Sequence, residues 1–170
     1  LLSTMYPQYQ DYLLLHISTP KDTLTWVTAY PEDRLELIEN IVEIEDCKSW
    51  CAMFPDDVLY MGSRVADAPN FIEFVAEFGY REELSKYVTE PANIEAWVAK
   101  WPEDHVYFKS RVQSSSAVSW LHRWPEDFDA VYPNVQGDDL KLIVAIHAGR
   151  VDVINTLTGD MAMKVRALLQ

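Results

Sequence analysis

The chain repeats one aromatic pattern at a nearly constant interval. A leading aromatic residue is followed four positions later by a second aromatic and then, in most copies, by Pro and two acids, as in Trp97 and Trp101-Pro102-Glu103-Asp104. Phe74 and Phe78 keep this frame with Gly79-Tyr80 in place of Pro and acid. Spacings of 24, 24, 23 and 23 residues separate the leading aromatics Trp26, Trp50, Phe74, Trp97 and Trp120. A fixed period of this size is typical of proteins whose structural units stack on one another.

Each unit predicts two short helical segments. Two aromatics at positions i and i+4 share one face of a helix, and that face must be buried. The following Pro suits the first turn of a new helix, where two acids interact favourably with the positive end of the helix dipole. An aliphatic residue then marks the inner end of the second segment. It lies ten residues after the Pro at Ile17, Ile41, Val65, Val112 and Val135, and Val88 lies nine after Gly79.

The predicted fold class is all-α. Neither segment is long enough to be stable alone, so stacking must supply the core. We predict one domain over residues 1–170, an α-solenoid of about seven two-helix repeats of 23–24 residues over about 1–139, and a C-terminal helical cap over about 140–170. The frame extends back to Leu2 and Tyr6-Pro7 and forward, more weakly, to Val144. Because the chain begins at Leu1 without Met, we expect its natural start to lie outside it.

These patterns carry a resemblance at the level of fold. The period, the aliphatic residue before a Pro-containing turn and the paired short helices resemble the leucine-rich repeat variant and, more loosely, HEAT repeats. The segment Ala145 to Asp152 also resembles the second helix of an ankyrin repeat. The first resemblance implies 24-residue units that alternate α and 3₁₀ segments in a superhelix. This chain departs from that family in carrying aromatics where Leu and Val are preferred and in lacking a cysteine cluster, and a fold resemblance implies no function.

The chemically reactive side chains do not predict an enzyme or a cofactor. Cys47 and Cys51 are the only cysteines, so two of the four ligands of a structural zinc would be missing, and the histidines are scattered along the chain. Two small core residues in a reducing, cytoplasmic compartment are the plainer interpretation. No nucleophile elbow or phosphate-binding Gly-rich loop occurs. The four acid pairs are explained by their helix starts: Glu32-Asp33, Asp56-Asp57, Glu103-Asp104 and Glu126-Asp127.

Charge is the feature that points to a partner. The formal net charge is −13, and residues 1–85 hold 16 acids against 5 bases whereas residues 86–170 hold 11 against 9. An acidic surface repels nucleic acid and anionic membranes and attracts basic proteins. The longest apolar runs are far shorter than the roughly 20 residues that a membrane helix needs, so we expect a soluble protein.

Acids repeated in register predict two anionic rows, one formed by the acid pairs and one by acids two residues beyond the inner aliphatic. The predicted partner-binding residues lie in the acidic half and at its end: Glu32, Asp33, Glu43, Asp56, Asp57, Asp67, Glu82, Glu83 and Glu90. One hypothesis is an acidic protein-interaction scaffold that binds a basic partner and does not bind nucleic acid directly. The alternative is a nucleic-acid mimic, of the phage or mobile-element inhibitor type, that blocks the basic groove of a nuclease or similar protein.

Overall fold

The computed structural model describes residues 8–156, 163, 164 and 167. Every regular element in these residues is an α-helix or a 3₁₀ helix, which confirms the all-α prediction. The α-helices are α1 (Gln8–Leu14), α2 (Pro20–Ala29), α3 (Arg34–Leu37), α4 (Ile44–Met53), α5 (Val58–Arg64), α6 (Phe71–Phe78), α7 (Arg81–Ser85), α8 (Pro91–Lys100), α9 (His105–Phe108), α10 (Ala117–Arg123), α11 (Phe128–Val131), α12 (Asp138–His147) and α13 (Val151–Ile154). The 3₁₀ segments are Pro31–Asp33, Ile38–Asn40, Pro55–Asp57, Pro102–Asp104, Lys109–Arg111, Ser114–Ser116, Pro125–Asp127 and Tyr132–Asn134.

The aromatic-Pro junction ends one helix and begins the next. Trp101 follows α8, and its backbone N–H donates to the Trp97 carbonyl oxygen at 2.8 Å. Its backbone is extended, with φ −127° and ψ 80°, because a residue before Pro is excluded from the helical region. Pro102 then opens a 3₁₀ turn that continues into α9. The same junction recurs at Tyr30, Phe54 and Trp124, so the predicted helix starts are confirmed.

The repeat led by Phe74, which has Gly79-Tyr80 in place of Pro and acid, ends its first helix in a different backbone conformation. Gly79 and Tyr80 both have positive φ angles, 84° and 61°, between α6 and α7. A residue with a side chain adopts a positive φ angle only at a cost in free energy, whereas Gly adopts it without this cost. Gly79 therefore provides the helix stop that Pro provides elsewhere.

The predicted inner aliphatic residues lie where the chain leaves each second segment. Ile41 and Val135 have extended backbones, and both side chains are buried. The residue just before each of them ties its repeat to the preceding one. Asn40 Nδ2 donates to the Ile17 carbonyl oxygen at 3.1 Å, and Asn134 Nδ2 donates to the Ser110 carbonyl oxygen at 2.9 Å. Contacts between residues one period apart therefore recur along the described chain.

The contacts divide the chain into two compact units, residues 1–89 and 90–170. Trp50 and Phe74 are completely buried in the first unit, and Trp97 and Trp120 in the second, as predicted for leading aromatics. Trp26 is only partly buried. No helix in the described residues is long and apolar enough to cross a membrane. The predicted repeat features at Leu2 and Tyr6-Pro7, and most of the predicted cap beyond residue 156, lie outside the described residues.

Candidate protein-binding surface

The second acid of each pair is a hydrogen-bond acceptor for the tryptophan seven residues before it. The indole Nε1–H donates to the aspartate Oδ2 at distances between 2.7 and 2.9 Å in four pairs: Trp26 and Asp33, Trp50 and Asp57, Trp97 and Asp104, and Trp120 and Asp127. A buried indole N–H needs an acceptor, because leaving it without one costs free energy. These aspartates therefore belong to the framework of each repeat.

Three of these four aspartates also contact a residue of the preceding repeat. Gln10 Nε2 lies 3.1 Å from Asp33 Oδ2, and Arg34 Nε lies 3.3 Å from Asp57 Oδ2. In the second unit, His105 Nδ1 lies 2.7 Å from Asp127 Oδ2. Gln10, Arg34 and His105 occupy the same position, three residues after the Pro of their own repeat. Asp33, Asp57 and Asp127 thus each join two successive repeats, and we call this three-residue contact the aspartate bridge.

The repeat without a tryptophan has no aspartate bridge. Phe74 replaces the tryptophan and has no indole N–H to satisfy, and Arg81 stands seven residues later, where the other repeats have Asp. Glu82 and Glu83, which follow Arg81, are both exposed. Val58, three residues after Pro55, stands at the bridging position of the preceding repeat and is buried. Two members of the bridge, the tryptophan and the bridging residue, are therefore replaced together by the apolar Phe74 and Val58, and Arg81 replaces the aspartate.

This geometry corrects the prediction that both acids of each pair line an anionic row. Asp57, Asp104 and Asp127 are only 9%, 3% and 2% exposed, because their carboxylates turn inward to the indoles. Asp33 is half-buried. The first acid of each pair, by contrast, is exposed at Glu32, Asp56, Glu103 and Glu126. One acid per repeat, rather than two, forms this row on the surface.

The second predicted row is also mixed. Asp67 is half-buried, and its carboxylate accepts hydrogen bonds from the Thr89 backbone N–H at 3.0 Å and the Thr89 hydroxyl at 2.6 Å. Asp67 therefore links two successive segments of the first unit. Glu43 and Glu90 are exposed and directly precede α4 and α8. Six of the nine predicted partner-binding residues are thus exposed: Glu32, Glu43, Asp56, Glu82, Glu83 and Glu90.

Bases in the first unit neutralise other acids. Arg34 contacts Asp57, and Lys48 Nζ lies 3.2 Å from Glu45 Oε1 and 3.7 Å from Glu73 Oε2. Arg64 Nη2 lies 3.5 Å from Glu39 Oε2. No ion pair in the described part of the chain involves five of the exposed predicted acids: Glu32, Glu43, Asp56, Glu82 and Glu83. The negative charge at these positions is therefore directed to solvent.

Acids of the second unit are more often compensated. Arg123 Nη2 lies 2.7 Å from Glu95 Oε2. Arg150 pairs with Asp129 at 3.0 Å and Asp152 at 2.7 Å, and its hydrogen bond to Asp152 lowers the pKa of that carboxyl to about 2. This pairing agrees with the uneven charge of the sequence.

The buried thiols and the histidine of the aspartate bridge have structural surroundings. Cys47 and Cys51 lie inside α4, where burial raises the pKa of the thiols to about 11 and about 12, so both thiols stay protonated at neutral pH. His105 stacks on Trp124, with ring centroids 5.0 Å apart and planes within 6°. His105 occupies the position of Gln10 and Arg34, neither of which serves as a general base, so its shared role is bridging.

The described residues contain no group of three or more His, Cys, Asp or Glu side chains placed to hold a metal ion. An open pocket of about 580 Å³ lies in the second unit and is lined in part by Val118, Leu121, Val144, His122 and His147. Its two imidazoles are the only residues of its lining that commonly bind metals. The exposed acids of the first unit are therefore the stronger candidate site.

Comparison with models of known protein families, with curated proteins and with solved structures finds no match for this chain.

Proposed function

We propose that this protein is an acidic interaction scaffold that binds a basic protein partner through the exposed acids of its first half. The observation that carries the proposal is the difference in burial between the two acids of each pair. The aspartates that the framework needs are turned inward, whereas Glu32 and Asp56 remain exposed without a basic partner in the described residues. Exposed charge that the fold does not need for its own contacts is available for attraction of a partner.

The scaffold that we propose is a short-repeat α-solenoid similar to the leucine-rich repeat variant. The recurring bridges support it, since Gln10 with Asp33, Arg34 with Asp57, and His105 with Asp127 each join residues 22 or 23 positions apart. Stacked units of this kind provide an extended surface in which equivalent side chains recur at a regular distance.

A nucleic-acid mimic remains a second candidate. It is favoured by the regular recurrence of one exposed acid per repeat, on a framework that holds each helix start in place. Packed helices lie about 8–10 Å apart, so Glu32 and Asp56 would form part of a spaced anionic row. A basic groove that binds phosphates would recognise such a row.

The test is charge reversal at exposed positions alone. The Glu32→Lys, Asp56→Lys double variant should lose most of its binding to partner protein captured on the immobilised chain, chiefly through a slower association rate, and the loss should shrink as salt rises. Glu103→Lys with Glu126→Lys is the matched control, because these acids have the same repeat position in the other unit. Equal losses from both pairs, or no dependence on salt, would contradict the proposal.

Competition separates the two candidates. If the captured partner is released by double-stranded DNA or RNA at equal charge concentration, the partner's nucleic-acid groove is occupied and the mimic is supported. Retention of the partner supports the scaffold.

A further inference from the structure

Two exposed acids of the first unit, Glu32 and Asp56, are each accompanied by an exposed leucine. Leu35 and Leu59 stand three residues after Glu32 and Asp56 and are 69% and 38% exposed. Residues three apart on a helical segment lie on the same side. Tyr60, which follows Leu59, is 45% exposed. In the second unit the corresponding positions are Val106, after Glu103, which is 46% exposed, and Asp129, after Glu126, which is paired with Arg150. The combination of an exposed acid with an exposed aliphatic residue therefore occurs in two successive repeats only in the first unit.

Ionic and hydrogen-bond contacts hold these two acid-leucine pairs in register. The contact between Arg34 and Asp57 joins the start of α3 to the start of α5. Further along the same helical segments, the Tyr60 hydroxyl donates to the Glu39 carboxylate, and Arg64 pairs with Glu39 at 3.5 Å. Neighbouring packed helices lie about 8–10 Å apart. Glu32 with Leu35, and Asp56 with Leu59, therefore present the same pair of chemical groups twice at about this distance.

We infer that this surface binds an α-helical segment of a partner that carries a basic residue and an aliphatic residue on one face, each repeated every seventh position. The inference rests on the proposed function and specifies its partner. Seven residues advance an α-helix by about 10 Å, which matches the distance between the two acid-leucine pairs. The basic side chains contact Glu32 and Asp56, and the aliphatic side chains pack on Leu35 and Leu59.

Other backbone conformations match this surface less well. An extended strand covers about 10 Å in three residues, and an odd step places successive side chains on opposite faces. A polyproline II segment advances about 9 Å in three residues and keeps its face, but its binding sites are lined by aromatic residues. Leu35 and Leu59 are aliphatic, and the one exposed aromatic that we place beside them, Tyr60, has its hydroxyl bound to Glu39. This lining favours a helix with an apolar stripe.

The probe is a fluorescent, Ala-based helical peptide of about 20 residues with Lys and Leu each repeated every seventh position and offset from one another by three. A control peptide of the same composition repeats them every fifth position, which places them on different faces. Fluorescence anisotropy with the full chain should show binding of the first peptide at least about tenfold tighter than of the second. Equal affinity for the two peptides, or tighter binding of a Pro-rich Lys and Leu peptide, would overturn the inference.

Variants of the chain locate the binding surface. The Leu35→Ser, Leu59→Ser variant should bind the peptide that has Lys and Leu at every seventh position about tenfold more weakly, at low and at high salt. The Glu32→Lys, Asp56→Lys variant should bind this peptide more weakly chiefly at low salt. Leu35→Ala with Leu59→Ala repeats the test with residues that favour helices, and circular dichroism confirms that each variant is folded. The Glu103→Lys, Glu126→Lys pair should leave peptide affinity unchanged. Equal loss with this control pair would overturn the inference.

Three further outcomes separate the possible occupants and the two proposals. If sedimentation velocity shows a concentration-dependent dimer that the leucine variants abolish, the occupant is a second copy and the inference fails. If capture of a protein partner depends on Glu32 and Asp56 while neither peptide binds, the helical inference fails and the proposed function stands. If charge reversal at Glu32 and Asp56 changes neither partner capture nor peptide binding, the helical inference and the proposed function both fail.

Discussion

The indole of Trp120 donates its Nε1–H to the carboxylate of Asp127 at 2.9 Å, and both side chains are almost completely buried. The hydrogen bond crosses the boundary between two helical segments, since Trp120 lies in α10 and Asp127 ends the next 3₁₀ turn. Because Asp127 also contacts His105 of the preceding repeat, one carboxylate joins two segments within a repeat and two repeats to each other. In the Pro-acid-acid motif, the first acid is therefore exposed to solvent and the second belongs to the framework.

Replacement of Trp97 by Ala should strongly destabilise the protein. Trp97 is fully buried, and its indole N–H donates a hydrogen bond to the Asp104 carboxylate. Trp97→Ala therefore leaves a large cavity and removes this hydrogen bond. We expect a loss of about 3–5 kcal/mol in the free energy of unfolding, measured by denaturant titration. Trp101→Ala is the control and should cost less, because Trp101 is only half-buried. Equal costs for the two variants would contradict the burial assignment.

Substitution of His105 should depend on hydrogen-bonding capacity rather than on basicity. Gln10 fills the equivalent position for Asp33, so His105→Gln should retain most of the stability. His105→Leu should lose about 1–3 kcal/mol, because it removes a partner from a buried carboxylate. Thermal and denaturant unfolding of both variants test this. Equal stability of the Gln and Leu variants would show that the aspartate bridge contributes nothing at this site.

Gly62 is required for the close approach of α5 to its neighbours. A Cβ at this position would lie 2.7 Å from Leu84 Cδ2 and 3.1 Å from Phe74 Cε1, and both of these side chains are fully buried. We expect Gly62→Ala to destabilise the protein by about 1–2 kcal/mol in spite of the higher helix propensity of Ala. The neighbouring Ser63→Ala is the control and should be nearly neutral. A stabilised Gly62→Ala variant would mean that the core adapts easily.

The two thiols should make stability fall in alkaline solution. Unfolded cysteines ionise near pH 8.5, whereas the folded pKa values of Cys47 and Cys51 are raised to about 11 and about 12. The folded state therefore retains protons that the unfolded state releases, and the free energy of unfolding decreases as pH rises from about 8.5 towards the folded values.

Unfolding of the wild type and of a Cys47→Ala, Cys51→Ala variant across this pH range isolates the contribution of the thiols. Above pH 8.5 the free energy of unfolding of the wild type should fall relative to that of the variant. A constant difference between the two proteins would exclude a contribution of the thiols. The double replacement, with Ser or Ala, should leave partner binding unchanged, because both thiols are buried and do not belong to the exposed surface.

Local sequence determined the elements of this protein. Pro after an aromatic residue excludes a continued helix and opens a new turn, so the junctions at Tyr30, Phe54, Trp101 and Trp124 follow from backbone sterics alone. The spacing of aromatics at i and i+4 identified the buried face, and Trp50, Phe74, Trp97 and Trp120 lie there. A further signal was present in the sequence. Every repeat with a leading Trp has Asp seven residues later, and the repeat led by Phe74 does not.

Only the tertiary structure decided which acids are exposed and which are part of the framework. Asp56 and Asp57 are chemically alike and adjacent, yet one is exposed and the other is held by Trp50 and Arg34. The contact to Trp50 depends on the angle between two helical segments, and the contact to Arg34 depends on how one repeat packs against the next. Residues 23 positions apart are not placed by helical periodicity. Their contacts, and with them the surface left for a partner, exist only after the repeats have packed.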